Sequence, residues 1–238
     1  NINRECGCMH PQFLCDKVRE MRADLGIAHD GDADRVLLCD EQGNLTDGDD
    51  ILVLAGLDLL AQGTLAHNTV VATVMSNAGV DAALQAAGGK VVRTQVGDKS
   101  VIDEMLRHGY NFGGEQSGHV IFGDHSTTGD GLVAALQMLR IMRIRGKPLS
   151  QLPGGWTRFP QVVTNIKVKE KVPFEQLDGV LNLVAEAEAC LKPEGGRVLL
   201  RYSGTEPKAR LLIEGRDAAA IKDWNTRIAT TLKKLIGA

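Results

Sequence analysis

Asp30-Gly31-Asp32-Ala33-Asp34-Arg35 is the stretch on which the reading of this chain turns. Carboxylates stand at alternate positions, small residues separate them, and an arginine follows directly. Residues 25–28 read as the end of a buried strand and 36–39 as the next strand, so the aspartates fall on a tight loop between them. Alternate side chains of an extended segment point the same way. Three converging carboxylates repel one another unless a cation joins them, and an oxygen-only donor set selects a hard ion, Mg²⁺ or Ca²⁺. Arg35 adds a fixed positive charge beside that ion, a pairing suited to phosphate. A merely solvated acidic turn uses the same residue types. An EF-hand counted from Asp30 would take Asp32, Asp34 and Glu41 as ligands. That reading fails because Arg35 stands where the calcium loop needs glycine and the flanks are strand-like.

The chain has 238 residues, enough for one large domain or two to three smaller ones. Its net charge of −3 gives no global field that would recruit nucleic acid or an acidic membrane. Lys and Arg are scattered, and few aromatics are present to stack bases. The longest apolar run, 51–61, is too short to span a bilayer and contains Asp58. No signal-peptide pattern is visible. The chain starts at Asn1 rather than Met, which fits a processed start or a piece of a longer chain. Of five cysteines, Cys39 and Cys190 read as reduced core residues. Cys6, Cys8, His10 and Cys15 invite a zinc reading, but the spacing lacks a C-x-x-C knuckle. The set suits a reducing cytoplasm.

Asp49-Asp50 opens an apolar helix that runs to about Gln62 and is closed by Gly63. Residues 69–74 read as a buried strand. Asn77 caps a helix over 78–87, Gly88-Gly89 stops it, and 91–96 form another strand. This strand–helix–strand spacing predicts a largely parallel sheet with helices. Gly97-Asp98-Lys99-Ser100 precedes a helix over 101–107 and reads either as a phosphate site or as an ordinary capped helix. Tyr110-Asn111-Phe112 and Val120-Ile121-Phe122 read as short strands around a second loop. Residues 127–131 lead into a long amphipathic helix ending near Arg145-Gly146, and 147–155 read as a linker. Beyond it the pattern predicts a strand over 161–168 and a helix over 174–191 interrupted at Gly179. A hairpin of 197–201 with 210–213 and a helix over 218–236 follow. The fold class expected is therefore α/β, with mixed, largely parallel sheets, followed by a C-terminal α+β domain with an antiparallel sheet.

The second loop carries Glu115, Gln116, Ser117 and His119 between glycines that let a ligand approach the backbone. Carboxylate, amide and hydroxyl together suit a polyhydroxylated ligand, a sugar; a polar hairpin without a ligand has the same composition. The third loop is Arg201-Tyr202-Ser203-Gly204-Thr205-Glu206-Pro207-Lys208, with Arg210 close behind. Its hydroxyls, glycine and arginines suit a phosphate dianion held by backbone amides and a guanidinium fork.

In this order and spacing, the three loops resemble the metal, sugar and phosphate loops of the α-D-phosphohexomutase family. Gln116, the Ser203-Gly204-Thr205-Glu206-Pro207 run and Thr127-Thr128-Gly129-Asp130-Gly131 are similar to the bacterial branch that acts on glucosamine phosphates. Hexose-phosphate members more often carry Met at position 116. The resemblance implies four domains in the whole enzyme. Here 1–63 would be the remainder of the metal-binding second domain, 64–150 the sugar-binding third, and 156–238 the phosphate-binding fourth. It implies an isomerase that interconverts glucosamine 6-phosphate and glucosamine 1-phosphate through a phosphoserine and a 1,6-bisphosphate. Such an enzyme is cytoplasmic and feeds UDP-N-acetylglucosamine and peptidoglycan.

The resemblance also implies residue roles. Asp30, Asp32 and Asp34 would hold Mg²⁺, and Arg35 would stabilise the transferring group. Glu115, Gln116 and Ser117 would bind the sugar. His119 is implied as a general acid/base, or as a hydrogen bonder that fixes the loop, and Lys99 as a substrate contact. Arg201, Ser203, Gly204, Thr205 and Arg210 would grip the non-reacting phosphate. Expected partners are the sugar phosphate, an N-terminal half that carries the serine domain, and a second copy in the full-length protein. No Ser-His-Asn-Pro-like nucleophile stretch occurs here, so the chain alone is expected to be inactive. A hexose phosphomutase and a non-catalytic sugar-phosphate-binding module are the alternatives. Three departures from the family pattern stand out. Cys8 replaces a serine. Ala33 replaces a glycine, which predicts a backbone angle that alanine adopts readily. Tyr202 replaces a proline, which predicts a less pre-set phosphate loop.

Overall fold

β1 (Leu25–His29) and β2 (Val36–Asp40) pair antiparallel, with His29 opposite Val36, so the aspartate loop closes a hairpin. All five residues of β2 are buried, and β3 (Leu45–Thr46) pairs on its far side. α1 (Gln12–Met21) lays Cys15 and Val18 against Cys39 of β2. α2 (Gly48–Ala61) starts at a capping box in which Asp47 accepts from the N–H groups of Asp49 and Asp50 while Asp50 reaches back. The structure, a computed structural model, describes every residue except 1, 3, 153–155 and 205.

The second sheet has the order β5-β4-β6-β7. β4 (Thr69–Thr73) is central, parallel to β5 (Lys90–Thr94) and to β6 (Phe112–Gly114), while β7 (Val120–Phe122) returns antiparallel to β6. α3 (Ala78–Ala86), α4 (Asp98–His108) and α5 (Gly131–Arg145) complete the layers. The loops after β4, β5 and β6 therefore leave the carboxyl ends of parallel strands, where open α/β sheets bind ligands.

One apolar cluster joins Val36 and Leu38 of β2, Ile51 and Leu52 of α2, Val70 of β4, Phe112 of β6 and Met138 of α5. Asp58 on α2 is buried and takes Arg145 of α5 at 2.7 Å, which ties these two helices together. The chain divides into two compact units, 1–157 and 158–238. The expected linker is partly core: Leu149 and Leu152 are buried in this cluster, and 153–155 lie outside the described residues.

The second unit is an antiparallel sheet of order β8-β10-β9, formed by β8 (Gln161–Lys167), β9 (Arg197–Tyr202) and β10 (Lys208–Glu214). α6 (Val180–Leu191) and α7 (Ala218–Ile236) pack their apolar residues on it.

The interruption expected at Gly179 is present: a short turn, Phe174–Gln176, precedes α6, and Gly179 adopts a left-handed φ of 72° between them. Three expectations need correction. α4 begins at Asp98, not at 101, with Gly97 as its cap. β6 begins at Phe112 rather than Tyr110, because the Asn111 amide is committed to the Thr64 carbonyl, the Ala66 N–H and Asp124. Cys190 is exposed on α6, not a core residue. Among the described residues no helix is long and apolar enough to cross a membrane.

Candidate metal, sugar and phosphate loops

Ligand atoms of Asp30, Asp32 and Asp34 lie within 4.8 Å of one another, the one such cluster of His, Cys, Asp or Glu among the described residues. Cys6, Cys8, His10 and Cys15 gather no such set, which removes the zinc reading. The Cys8 thiol instead donates to the Ala28 carbonyl at 3.3 Å. Burial and then the charge of Asp30 push its pKa up to about 11, so it stays protonated at neutral pH.

The loop turns through Ala33 at φ 60°, in the left-handed region. The expected alanine-friendly angle is therefore not found. The Asp30 carboxylate accepts from the Arg35 N–H at 3.2 Å. The Arg35 Nε stands 3.7 Å from Asp30 Oδ2 and 3.9 Å from Asp34 Oδ1. At those separations the guanidinium neutralises charge without occupying the carboxylate lone pairs. Arg35 Nε has no hydrogen-bond acceptor among the described residues. Clustered oxygens with free lone pairs beside a fixed cation fit a hard divalent ion and its phosphate ligand.

The sugar loop is locked by its own backbone: Glu115 N–H donates to the His119 carbonyl at 2.8 Å, and Gly118 N–H to the Glu115 carbonyl at 3.0 Å. Gly118 has φ 93°, and a Cβ there would lie 2.2 Å from the Val36 carbonyl oxygen. That close approach lets Val36 N–H donate to the Gly118 carbonyl at 3.1 Å, which stitches β2 to the sugar loop. The amino end of α2 docks there too, as Gly48 N–H donates to the Gln116 carbonyl at 3.1 Å. One Glu115 oxygen accepts from Gly97 N–H at 2.8 Å, and the other lies 3.4 Å from the Ser117 hydroxyl. His119 is 3% exposed, and its Nδ1 donates to Asp34 Oδ2 at 2.9 Å. The metal and sugar loops thus meet side by side. Lys99 stands on the adjacent start of α4, but its ammonium is exposed and paired with Asp103 at 2.5 Å.

The phosphate loop belongs to the second unit. Register places Arg201 of β9 directly opposite Arg210 of β10. Burial and then the charge of Arg210 lower the pKa of Arg201, as expected where two cations face one site. Ser203 is buried, its N–H donates to the Lys208 carbonyl at 2.8 Å, and its hydroxyl accepts from Glu206 N–H at 3.4 Å. Glu206 pairs with Lys208 at 2.5 Å and Arg210 at 3.1 Å, and Lys208 followed by Arg210 holds its carboxyl below the usual range. Gly204 faces open space, and Thr205 lies outside the described residues. Tyr202 is not loosely set: its hydroxyl donates to the Val172 carbonyl at 2.5 Å, and its ring stacks on Phe174 at 4.3 Å.

Sequence reading missed Lys171, Val36 and Gly48, and it placed Gly97 at a helix start without its contact to Glu115. Lys171 donates to the Ser203 and Gly204 carbonyls at 2.6 and 3.3 Å, thirty-odd residues from the loop it braces. Val36, Gly48 and Gly97 act through backbone N–H groups, which leave no mark in side-chain chemistry.

Comparison with known proteins bears on the fold and the family. Residues 47–159 match the family model for phosphoglucomutase/phosphomannomutase, alpha/beta/alpha domain III, and 163–231 match the model for its C-terminal domain. The phosphoglucosamine mutase of Anaeromyxobacter sp. (strain Fw109-5) is 52% identical over 237 residues, covering 100% of this chain and 50% of its own length. That of Anaeromyxobacter dehalogenans (strain 2CP-C) is 54% identical, covering 100% of this chain and 52% of its own. This chain therefore spans about half the length of the curated relatives it matches. Among solved structures, Aspergillus fumigatus N-acetylphosphoglucosamine mutase superposes with TM-score 0.78 at 21% identity, over 98% of this chain and 53% of its own. A second structure of that fungal enzyme, in complex with GlcNAc-6P and magnesium, gives 0.75 at 22% identity over 99% and 54%. At that identity the likeness is one of fold.

Proposed function

The chain belongs to the phosphoglucomutase/phosphomannomutase family, and from that premise we propose that it carries the metal, sugar and phosphate loops of a phosphoglucosamine mutase. The reaction is interconversion of glucosamine 6-phosphate and glucosamine 1-phosphate through a phosphoserine and a 1,6-bisphosphate. The serine would come from a domain in the rest of the relatives' length, and a homodimer of that longer protein is part of the same reading. So is a cytoplasmic role in making UDP-N-acetylglucosamine for peptidoglycan.

The observation that carries the proposal is the Asp34–His119 contact at 2.9 Å, which sets an oxygen-only carboxylate cluster against a sugar-type loop. Asp30, Asp32 and Asp34 would hold Mg²⁺. When bound, that ion supplies charge neutralisation for the transferring phosphoryl group. Arg35, half-exposed beside the carboxylates, is placed to take phosphoryl oxygens. Glu115, Gln116 and Ser117 would orient sugar hydroxyls, with the Glu115 carboxylate pre-aimed by Gly97 N–H. Lys99 would leave Asp103 to reach the substrate. Arg201, Ser203, Gly204, Thr205 and Arg210 would grip the phosphate that is not reacting, and that remote binding energy favours the chemical step.

Calorimetric titration with Mg²⁺ tests the metal assignment. Asp32→Ala is expected to weaken binding at least tenfold by removing one of three charged ligands. Equal affinity in variant and wild type overturns it. Turnover of glucosamine 6-phosphate against glucose 6-phosphate, in a chain that also carries the phosphoserine domain, tests the substrate.

A further inference from the structure

The Thr127-Thr128-Gly129-Asp130-Gly131 run is given no task by the proposed chemistry, yet it touches both loops of the first unit. Asp130 caps α5, its side chain accepting from Val133 N–H at 2.9 Å, and its own N–H reaches the Val120 carbonyl on the strand leaving the sugar loop at 3.4 Å. Gly131 N–H donates to the Ala33 carbonyl of the metal loop at 2.9 Å. A Cβ at 131 would meet the Arg35 carbonyl oxygen at 2.5 Å and His29 Nδ1 at 2.6 Å. Gly129 lies flat against the His119 imidazole: a Cβ there would stand 2.3 Å from both Cε1 and Nε2 and 2.6 Å from Cδ2. Bare backbone thus backs the ring at Cε1, Nε2 and Cδ2, while its Nδ1 edge meets Asp34. His119 reaches the metal loop only while position 129 lacks a side chain.

We propose that Gly129 is a positioning residue for the metal site: it seats His119, and His119 in turn aims the Asp34 carboxylate at the cation. This rests on the proposed Mg²⁺ site. His119 then acts on the metal site through its Nδ1 contact to Asp34, while its Nε2 is buried without a hydrogen-bond partner among the described residues. Hydrogen-bond partners behind a metal ligand typically change metal affinity by about 10- to 100-fold when removed. A methyl group at 129 has no space beside the ring, so it must displace the imidazole and break the contact to Asp34. When the imidazole is absent, the same methyl group fits into the space the ring vacates.

The test is a double-mutant cycle on the 238-residue protein, read as Mg²⁺ affinity by calorimetry, with thermal melting as the folding control. Gly129→Ala is expected to lower Mg²⁺ affinity about tenfold in the wild-type background. It should change little in the His119→Ala background, because both changes break one link. Equal losses in the two backgrounds, or none in wild type, overturn the proposal. If Gly129→Ala does not fold, the decision falls to His119 alone. His119→Asn keeps an N–H donor near the Nδ1 position and should retain most of the affinity, whereas His119→Ala should not. Equal affinities for those two variants overturn the proposal as well. Asp32→Ala separates the failures: if it weakens Mg²⁺ while the Gly129 and His119 variants do not, the metal site stands and the positioning chain falls.

Discussion

Ala33 holds the metal loop at a backbone angle that its own side chain opposes. An L-residue in the left-handed region costs about 1–2 kcal/mol, and glycine escapes that cost while losing more chain entropy on folding. Ala33→Gly is therefore expected to raise unfolding stability by up to about 1 kcal/mol, measured by urea denaturation, with Mg²⁺ affinity unchanged. A loss of stability would mean that the methyl group packs usefully. Thiol chemistry gives a second residue-scale expectation. Cys190 is exposed on α6, whereas the half-buried Cys8 thiol titrates near 11 and donates to a carbonyl. At pH 8, iodoacetamide should label Cys190 well before Cys8, as read by peptide mass spectrometry. Preferential labelling of Cys8 would contradict the shift, since the thiolate is the reacting form. The carboxylates of the metal loop were readable from sequence because alternation is local. The angle at Ala33 was not, because a single residue type does not report its own φ.

Elements formed where local chemistry demanded them. Asp47, Asn77, Asp130 and Asp217 cap α2, α3, α5 and α7 with side-chain oxygens, and each helix start follows from that one residue. Boundaries slipped where partners were distant: Asn111 left β6 to bond across to the 64–66 turn and Asp124. The β9–β10 hairpin shows what register adds. It sets Arg201 opposite Arg210, and like charges across a ladder are unfavourable unless an anion or carboxylate sits between them. Arg201→Ala should weaken inorganic phosphate and glucosamine 6-phosphate alike, by about 1.5–3 kcal/mol, the worth of a charge-assisted hydrogen bond. A variant that keeps phosphate affinity but loses sugar discrimination would place Arg201 in a different role.

At the scale of the molecule, the first unit assembles metal and sugar loops on one core, and the second carries the phosphate loop. None of the serines in this sequence has the nucleophile context that a phosphoserine mechanism needs, so these 238 residues alone should not turn over glucosamine 6-phosphate. Incubation with Mg²⁺ and catalytic 1,6-bisphosphate checks this; product above an Asp32→Ala control would show that a residue here can carry the phosphoryl group. The sequence alone determined the three loops, their donor chemistry, most of the strands and helices after the metal loop, and the switch from a largely parallel to an antiparallel sheet, but not the helix over Gln12–Met21 or the short strand Leu45–Thr46. What it determined rests on patterns close in the chain, where alternation, capping and turn chemistry act directly. Tertiary structure decided that residues 1–157 form one compact unit, that Asp34 meets His119 across 85 positions, and that Gly129 backs the ring. Those contacts arise when helices and strands pack face to face. Packing depends on the shape of whole surfaces, and no local pattern in the chain encodes it.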